Sequence, residues 1–155
     1  MIGEYEVKLA GRGDIRAISE LSRDAIELGL PWTWTPRRVA RSISESSTNV
    51  VVVHQEDKLV GFAIMEYGEE EAHVVLLAVH PAHRRTGVGS ALLSWLEATA
   101  RVAGINLIRL ETRAQNGGAI SFYRKHGFEL LGLCKGYYQG VEDAVRMAKD
   151  LWLHP

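Results

Sequence analysis

The stretch HRRTGVGSALL (residues 83–93) places two arginines, a threonine and two glycines directly before an amphipathic run. The apolar segment VVLLAV (residues 74–79) precedes it and is typical of a buried strand. The local order is therefore strand, glycine-rich turn and helix. Backbone N–H groups point outward at such a turn, and the helix dipole adds partial positive charge there.

The side chains of this turn also favour an anion. Gly87 and Gly89 let a phosphate approach the main chain, and Arg84 and Arg85 add charge-assisted hydrogen bonds. Two hydroxyls belong to the same turn, those of Thr86 and Ser90. An ordinary loop with solvated arginines is the alternative, but the combination of strand, basic pair and helix favours an anion-binding cradle.

Two other phosphate-binding motifs are excluded. The GxxxxGK[ST] loop is absent, and GVGSAL has no third glycine for the dinucleotide fingerprint. Lys and Arg total 18 against 19 Asp and Glu, so the net charge of −1 gives no overall attraction to nucleic acid or to an anionic membrane. Any anion site is therefore local.

Length and composition bound the class of protein. The 155 residues, 46% of them hydrophobic, suit one domain over residues 1–155. The single cysteine, Cys134, excludes an internal disulfide, and the N-terminal residues lack the apolar stretch of a signal peptide. We expect a cytoplasmic protein without a membrane span. The six histidines show no metal-binding spacing, so we expect no metal.

The first half of the chain predicts a strand, two helices and a meander. A short strand precedes a helix for which Asp14 is a candidate N-cap, and Thr35 with Pro36 opens a second helix. Three β-rich runs then follow between residues 49 and 80, separated by the polar segments QEDK and GEEE.

The second half predicts two more helices and three strands. Helical spacing begins at Val88 and ends before Gly104, and INLIRLETR (residues 105–113) is typical of a nearly continuously buried strand. A short helix is capped by Asn116 and ended by Gly127, and two strands close the chain.

Two blocks resemble the GNAT superfamily of N-acetyltransferases. The family's pyrophosphate loop, Q/R-x-x-G-x-G/A, is matched by Arg84, Gly87 and Gly89. Its second block, N-x-x-A-x-x-F/L-Y-x-x-x-G-F, is matched by NGGAISFYRKHGF (residues 116–128). The resemblance implies an α/β fold with a mixed, mostly antiparallel sheet that is splayed at its centre and flanked by about four helices.

The resemblance also implies acetyl-CoA as the acetyl donor and assigns its binding residues. The backbone of Leu77, Ala78 and Val79 would pair with the pantetheine arm, which Asn116 would contact farther along. The pyrophosphate would be held by the segment that follows Arg84, namely Arg85, Thr86, Gly87, Val88, Gly89 and Ser90.

A closer resemblance is to the subgroup that acetylates protein N-termini, including the ribosomal-protein alanine acetyltransferases. It rests on LETR before the second block and on KGYYQGVEDAVRM after it. In that subgroup the strand Glu and the helix Tyr act as base and acid, which implies Glu111 and Tyr123 here. GLPWTWTPRRV shares only its Pro-Trp element with the subgroup, in the region that shapes the acceptor pocket.

The chemistry requires such a pair. Free amines, with pKa values of ~8 (α-amino) or ~10 (Lys), are mostly protonated at neutral pH, so a base must remove a proton before attack. Glu111, as a buried carboxylate with a raised pKa, suits that task, and Tyr123 protonates the departing thiolate. The alternatives are an ion pair of Glu111 with Arg109 or Arg113, and plain aromatic packing of Tyr123 beside Phe122.

The acceptor pocket is predicted less directly. Trp32 and Trp34 are candidates for its wall, and the hydroxyls of Tyr137 and Tyr138 for contacts with a peptide backbone, with core packing as the alternative for each pair. We expect transfer of acetyl by direct attack of a primary amine, favouring a protein N-terminus. A small-molecule amine acetyltransferase is the alternative enzyme, and a non-catalytic CoA-binding sensor is the alternative outside enzymes. The sequence leaves the oligomeric state open.

Overall fold

The computed structural model describes residues 5–153, so the ends of the predicted domain, residues 1–4 and 154–155, lie outside it. Four α-helices follow in chain order, α1 (Ile15–Leu21), α2 (Pro36–Ser44), α3 (Val88–Val102) and α4 (Gly117–Lys125). The strands are β1 (Val7–Leu9), β2 (Thr48–Gln55), β3 (Lys58–Tyr67), β4 (Glu71–Val79), β5 (Leu107–Arg113), β6 (Glu129–Tyr138) and β7 (Glu142–Asp150).

The seven strands have the order β1-β2-β3-β4-β5-β7-β6. Antiparallel pairing predominates, while β4 and β5 are parallel. Within residues 5–153 the register between β4 and β5 runs from Glu71↔Leu107 to Val74↔Leu110. The mixed, mostly antiparallel sheet with four helices confirms the predicted fold class.

The chain divides into two compact units. Among the described residues, the first unit comprises 5–66 together with 75–99, and the second comprises 67–74 together with 100–153. No helix among residues 5–153 is long and apolar enough to cross a membrane.

The first unit is built around an apolar cluster that includes Ile18 of α1, Val39 of α2 and Phe62 of β3, all fully buried. Gly61 on β3 permits a close approach of α3, because a Cβ at this position would lie 2.6 Å from the Cγ1 of Val88. The missing side chain at Gly61 therefore lets the start of α3 pack directly on the strand.

In the second unit, β5 alternates between two environments. Ile108, Leu110 and Thr112 are buried, whereas the residues between them are only partly buried. The expectation of a nearly continuously buried strand is therefore wrong. The polar residues Arg109 and Glu111 have side chains on the opposite face, as the period of two requires.

The predicted helix ends are largely confirmed. Thr35 accepts a hydrogen bond from the Arg38 amide (3.4 Å) with Pro36 at the first helical position, and α4 is capped by Asn116. Gly104 and Gly127 have positive φ angles of 80° and 93° after their helices. Asp14 precedes α1, but its carboxylate instead accepts from the Gly11 amide (2.9 Å) and contacts His54 Nε2 (2.7 Å).

Candidate active site

The turn that the sequence singled out leads from β4 into α3. A single 3₁₀ turn, Pro81–His83, follows the strand, and the exposed Arg84 and Arg85 come next. Arg85 and Gly87 have positive φ angles of 62° and 99°, so the backbone reverses direction within four residues. The hydroxyl of Thr86 donates to the carbonyl of His83 and holds the turn.

This turn presents backbone donors at the start of α3. The Ala91 amide donates to the Gly87 carbonyl at 3.0 Å, which is the first helical hydrogen bond. The amides of Val88 and Gly89 precede it and have no acceptor inside the helix. Two exposed guanidinium groups and amides at a helix N-terminus fit a pyrophosphate, and they are the arrangement that the predicted cradle requires.

The other predicted cofactor residues lie on β4 and before α4. Ala78 belongs to the apolar core of the first unit, and its neighbours Leu77 and Val79 are partly buried. Asn116 Oδ1 accepts from the Ala119 amide at 3.0 Å, so its amide nitrogen is the group left to donate to a cofactor. The contacts of these residues with the pantetheine arm stay predictions.

Glu111 on β5 is the centre of a polar cluster in the second unit. Its side chain is only 3% exposed. One carboxylate oxygen, Oε1, lies 2.6 Å from His73 Nε2 and accepts a hydrogen bond from the Tyr137 hydroxyl at 3.0 Å. The other oxygen accepts from Arg109 and Arg146, each at 3.4 Å.

This cluster sets the protonation state of the carboxylate. Burial on its own would raise the pKa of Glu111, but the hydrogen bond and charge of His73, the Tyr137 hydroxyl and the charge of Arg109 lower that pKa to about 2. The expectation of a raised pKa is therefore wrong. Burial was foreseen from the sequence, whereas His73 and Tyr137, which help to outweigh it, come from other strands.

The alternative prediction, an ion pair of Glu111 with Arg109 or Arg113, is confirmed for Arg109 only. Arg109 contacts the carboxylate, but Arg113 pairs with Glu142 on β7, with Nε 2.9 Å from Oε1. The sequence analysis missed His73 and Arg146. A signal for His73 was available, since it alternates with the buried Ala72 and Val74 and so lies on the partly buried face of β4.

A pH-dependent stability follows from this cluster. Because the folded-state pKa of Glu111 lies below its ordinary value of 4.5, its contribution to stability is fully present above that pH and is lost as pH falls towards about 2. The shift corresponds to about 3 kcal/mol. We expect Glu111→Gln to lower the free energy of unfolding at neutral pH and to approach wild type in acid, since a protonated Glu111 resembles glutamine.

Denaturant unfolding from pH 7 to about pH 3 measures this effect. Glu69→Gln is the matched control, because it removes an exposed carboxylate in the turn between β3 and β4. A constant gap between wild type and Glu111→Gln across this range would contradict the lowered pKa.

Tyr123 on α4 is buried, with 7% of its surface exposed. Its ring packs edge-on against Phe122 and Phe128, at centroid distances of 5.1 and 5.5 Å. Burial first, and then the charge of Tyr138, raise the pKa of Tyr123 above its ordinary value. The hydroxyl therefore keeps its proton at neutral pH, as an acid must, although the aromatic packing of the alternative is present as well.

Tyr137 and Tyr138, near the end of β6, differ in the hydrogen bonding of their hydroxyls. Tyr137 donates to Glu111, and burial together with that carboxylate raises the pKa of Tyr137 to about 12. Tyr138 is partly buried, and burial followed by the charge of Tyr137 raises its pKa. A peptide contact of Tyr137 would thus use its oxygen as an acceptor, whereas Tyr138 is the better candidate donor.

The tryptophan segment is held in place by a buried carboxylate. Glu27 accepts from the Thr33 amide (2.7 Å) and from the Trp34 amide (3.3 Å). Trp34 is 6% exposed in the core of the first unit, which is the placement that the core-packing alternative predicts, and Arg38 stacks on its ring. Trp32 is 39% exposed and is the tryptophan more accessible to an acceptor. For both residues, contact with the acceptor stays a prediction.

Comparisons with known proteins show the family to which this chain belongs. The family model of the acetyltransferase (GNAT) domain matches residues 46–130. This protein belongs to the GNAT acetyltransferases, and it is an N-acetyltransferase. Acetyl-CoA is the acetyl donor that membership of this family implies. Two neighbours of the same fold were solved with coenzyme A or with acetyl-CoA.

Three similar proteins are informative. An N-alpha-acetyltransferase of Sulfurisphaera tokodaii is 29% identical, over 96% of this chain and 94% of its own. The [ribosomal protein bS18]-alanine N-acetyltransferase of Escherichia coli K12 is 34% identical, over 74% of this chain and 79% of its own. The crystal structure of Ard1 from Thermoplasma volcanium has a TM-score of 0.83 at 28% identity, covering 94% of this chain and 97% of that one.

Proposed function

We propose that this N-acetyltransferase transfers acetyl to the α-amino group of a protein or peptide N-terminus by direct attack of the amine. The observation that carries the proposal is the similarity, over 96% of the chain, to a protein named N-alpha-acetyltransferase. The bS18-alanine N-acetyltransferase supports the same acceptor class. We further propose that the whole chain acts as one domain and that it works in the cytoplasm.

In this proposal the turn before α3 holds the donor. Arg84 and Arg85 pair with the pyrophosphate, and the amides of Val88 and Gly89 donate to it. Acetyl-CoA supplies an activated acetyl thioester. The chain's own residues must then accept a proton from the incoming amine and return one to the leaving sulfur.

Glu111, contacted by His73, is the proposed proton acceptor. A carboxylate whose pKa is lowered to about 2 is a weak base, so Glu111 alone holds little driving force for taking a proton. The 2.6 Å contact between His73 Nε2 and Glu111 Oε1 holds the carboxylate in place, and the amine that Glu111 meets already has a neutral fraction.

An α-amine suits a modest base of this kind. Its pKa of ~8 leaves a substantial neutral fraction near neutral pH, whereas a lysine amine near ~10 needs about two more pKa units of assistance. Trp32, Tyr137 and Tyr138 are the proposed contacts of the peptide. Tyr123 is the proposed acid, because burial of this residue raises the pKa of its hydroxyl, which therefore keeps its proton at neutral pH.

The test compares three acceptor classes under identical conditions. One class is short peptides with a small first residue and an internal lysine, the second is the same peptides with a blocked N-terminus, and the third is small polyamines and amino sugars. We expect acetylation of the free α-amine only, mapped by mass spectrometry. Efficient acetylation of the small amines without peptide turnover would move the assignment to a small-molecule acetyltransferase, and no turnover of any class would favour the CoA-binding sensor.

A further inference from the structure

The strand β6 is the last strand of the sheet and carries exposed leucines. Leu130, Leu131 and Leu133 are 48%, 60% and 53% exposed. An edge strand has unpaired backbone N–H and C=O groups and pairs readily with another strand unless charge or twist prevents it. Three neighbouring leucines on such an edge favour covering by another chain.

The sequence of β6 is complementary to itself. If two copies of the segment ELLGLCK (residues 129–135) pair antiparallel about a two-fold axis at Gly132, Glu129 of one copy lies opposite Lys135 of the other. In the same register, Leu131 lies opposite Leu133. A shift by one residue in either direction separates the two charges, so the ion pairs select this register.

Both charges are available for such a contact. Glu129 and Lys135 are exposed, and neither has an ion pair within residues 5–153. Gly132 has no conformational reason to be glycine, because its φ is not positive and a Cβ there would meet no atom within 4 Å. The charges of Glu129 and Lys135 and the open space at Gly132 have no role within one protomer, and the two-fold pairing would use all three.

We propose that two copies of this chain associate reversibly through antiparallel pairing of β6 about a two-fold axis at Gly132. The contact is isologous, as is usual for a two-fold dimer. Two irregularities in the pairing with β7 limit the length of the new ladder. One is a bulge at Leu131, where the pairing steps from Leu130↔Met147 to Gly132↔Arg146, and the other lies between Cys134 and Tyr138. The dimer is therefore concentration-dependent rather than obligate.

The test is a pair of charge reversals followed by sedimentation velocity over a concentration series. Glu129→Lys places lysine opposite lysine, and Lys135→Glu places glutamate opposite glutamate. We expect each variant alone to dimerise about tenfold more weakly than wild type. An equimolar mixture forms a heterodimer in which both pairs are again opposite in charge, so its affinity returns towards that of wild type.

The double variant Glu129→Lys/Lys135→Glu restores both pairs within one chain and should dimerise like wild type. Glu69→Lys is the matched control, because it makes the same change in net charge at an exposed position away from β6. A wild-type protein that stays monomeric at every concentration would overturn the proposal. So would single variants that dimerise like wild type, or a mixture that associates no better than its components.

Discussion

Gly89→Asp is expected to abolish the stabilisation of the protein by acetyl-CoA. A ligand at a hundredfold excess over its Kd adds about 2.7 kcal/mol to the folded state, which raises Tm by about 5 to 10 °C in a chain of this size. The aspartate would set a carboxylate and a Cβ at the start of α3, where the pyrophosphate is to be bound. Like charges and lost backbone access would together remove the binding.

The apo protein should tolerate this substitution. An acidic residue in the first turn of a helix interacts favourably with the helix dipole, so the variant's own Tm should remain near that of wild type. Gly13→Asp is the matched control, because it adds the same charge where a Cβ meets no atom within 4 Å. Calorimetry with and without acetyl-CoA gives the result. An unchanged Tm rise in Gly89→Asp would mean that the turn does not hold the pyrophosphate.

The fold was predictable because its determinants are local. The proline behind Thr35, the cap at Asn116 and the glycines at 104 and 127 each act within a few residues, so the helix ends could be placed from sequence. The strand order could not, since β7 lies between β5 and β6 and depends on which strands bury each other. The burial of β5 was overestimated because Ile105, Leu107 and Ile108, at the start of the stretch, masked an alternating pattern.

In the candidate site too, local features could be predicted from the sequence and contacts between distant residues could not. The turn before α3 was predictable because its arginines, glycines and helix start are contiguous in the chain. The environment of Glu111 was not, because three of its four partners come from other strands and only Arg109 lies on β5. His73, Tyr137 and Arg146 lie 38, 26 and 35 residues away from it. A candidate base could thus be located from sequence, whereas the sign of its pKa shift required the packing.

Tyr123→Phe is expected to lower kcat by roughly 10²-fold or more while leaving the affinity for acetyl-CoA nearly unchanged. The substitution keeps the ring that packs against Phe122 and Phe128 and removes only the hydroxyl proton. General acid catalysis typically contributes about 10² to 10⁴ in rate, so loss of the donor should appear in turnover rather than in binding. Among residues 5–153 no hydrogen-bond acceptor is found for this hydroxyl, so its removal should cost little stability.

The control is Tyr67→Phe, which removes the hydroxyl of another tyrosine whose pKa burial raises, to about 12, at a position with no assigned role. Steady-state kinetics and the Tm of both variants separate chemistry from folding. A role for Tyr123 in packing alone predicts wild-type turnover in Tyr123→Phe, because its aromatic contacts are intact. A role as acid predicts a loss confined to Tyr123→Phe, and it predicts that the loss persists across neutral pH, since the raised pKa keeps the wild-type hydroxyl protonated throughout that range.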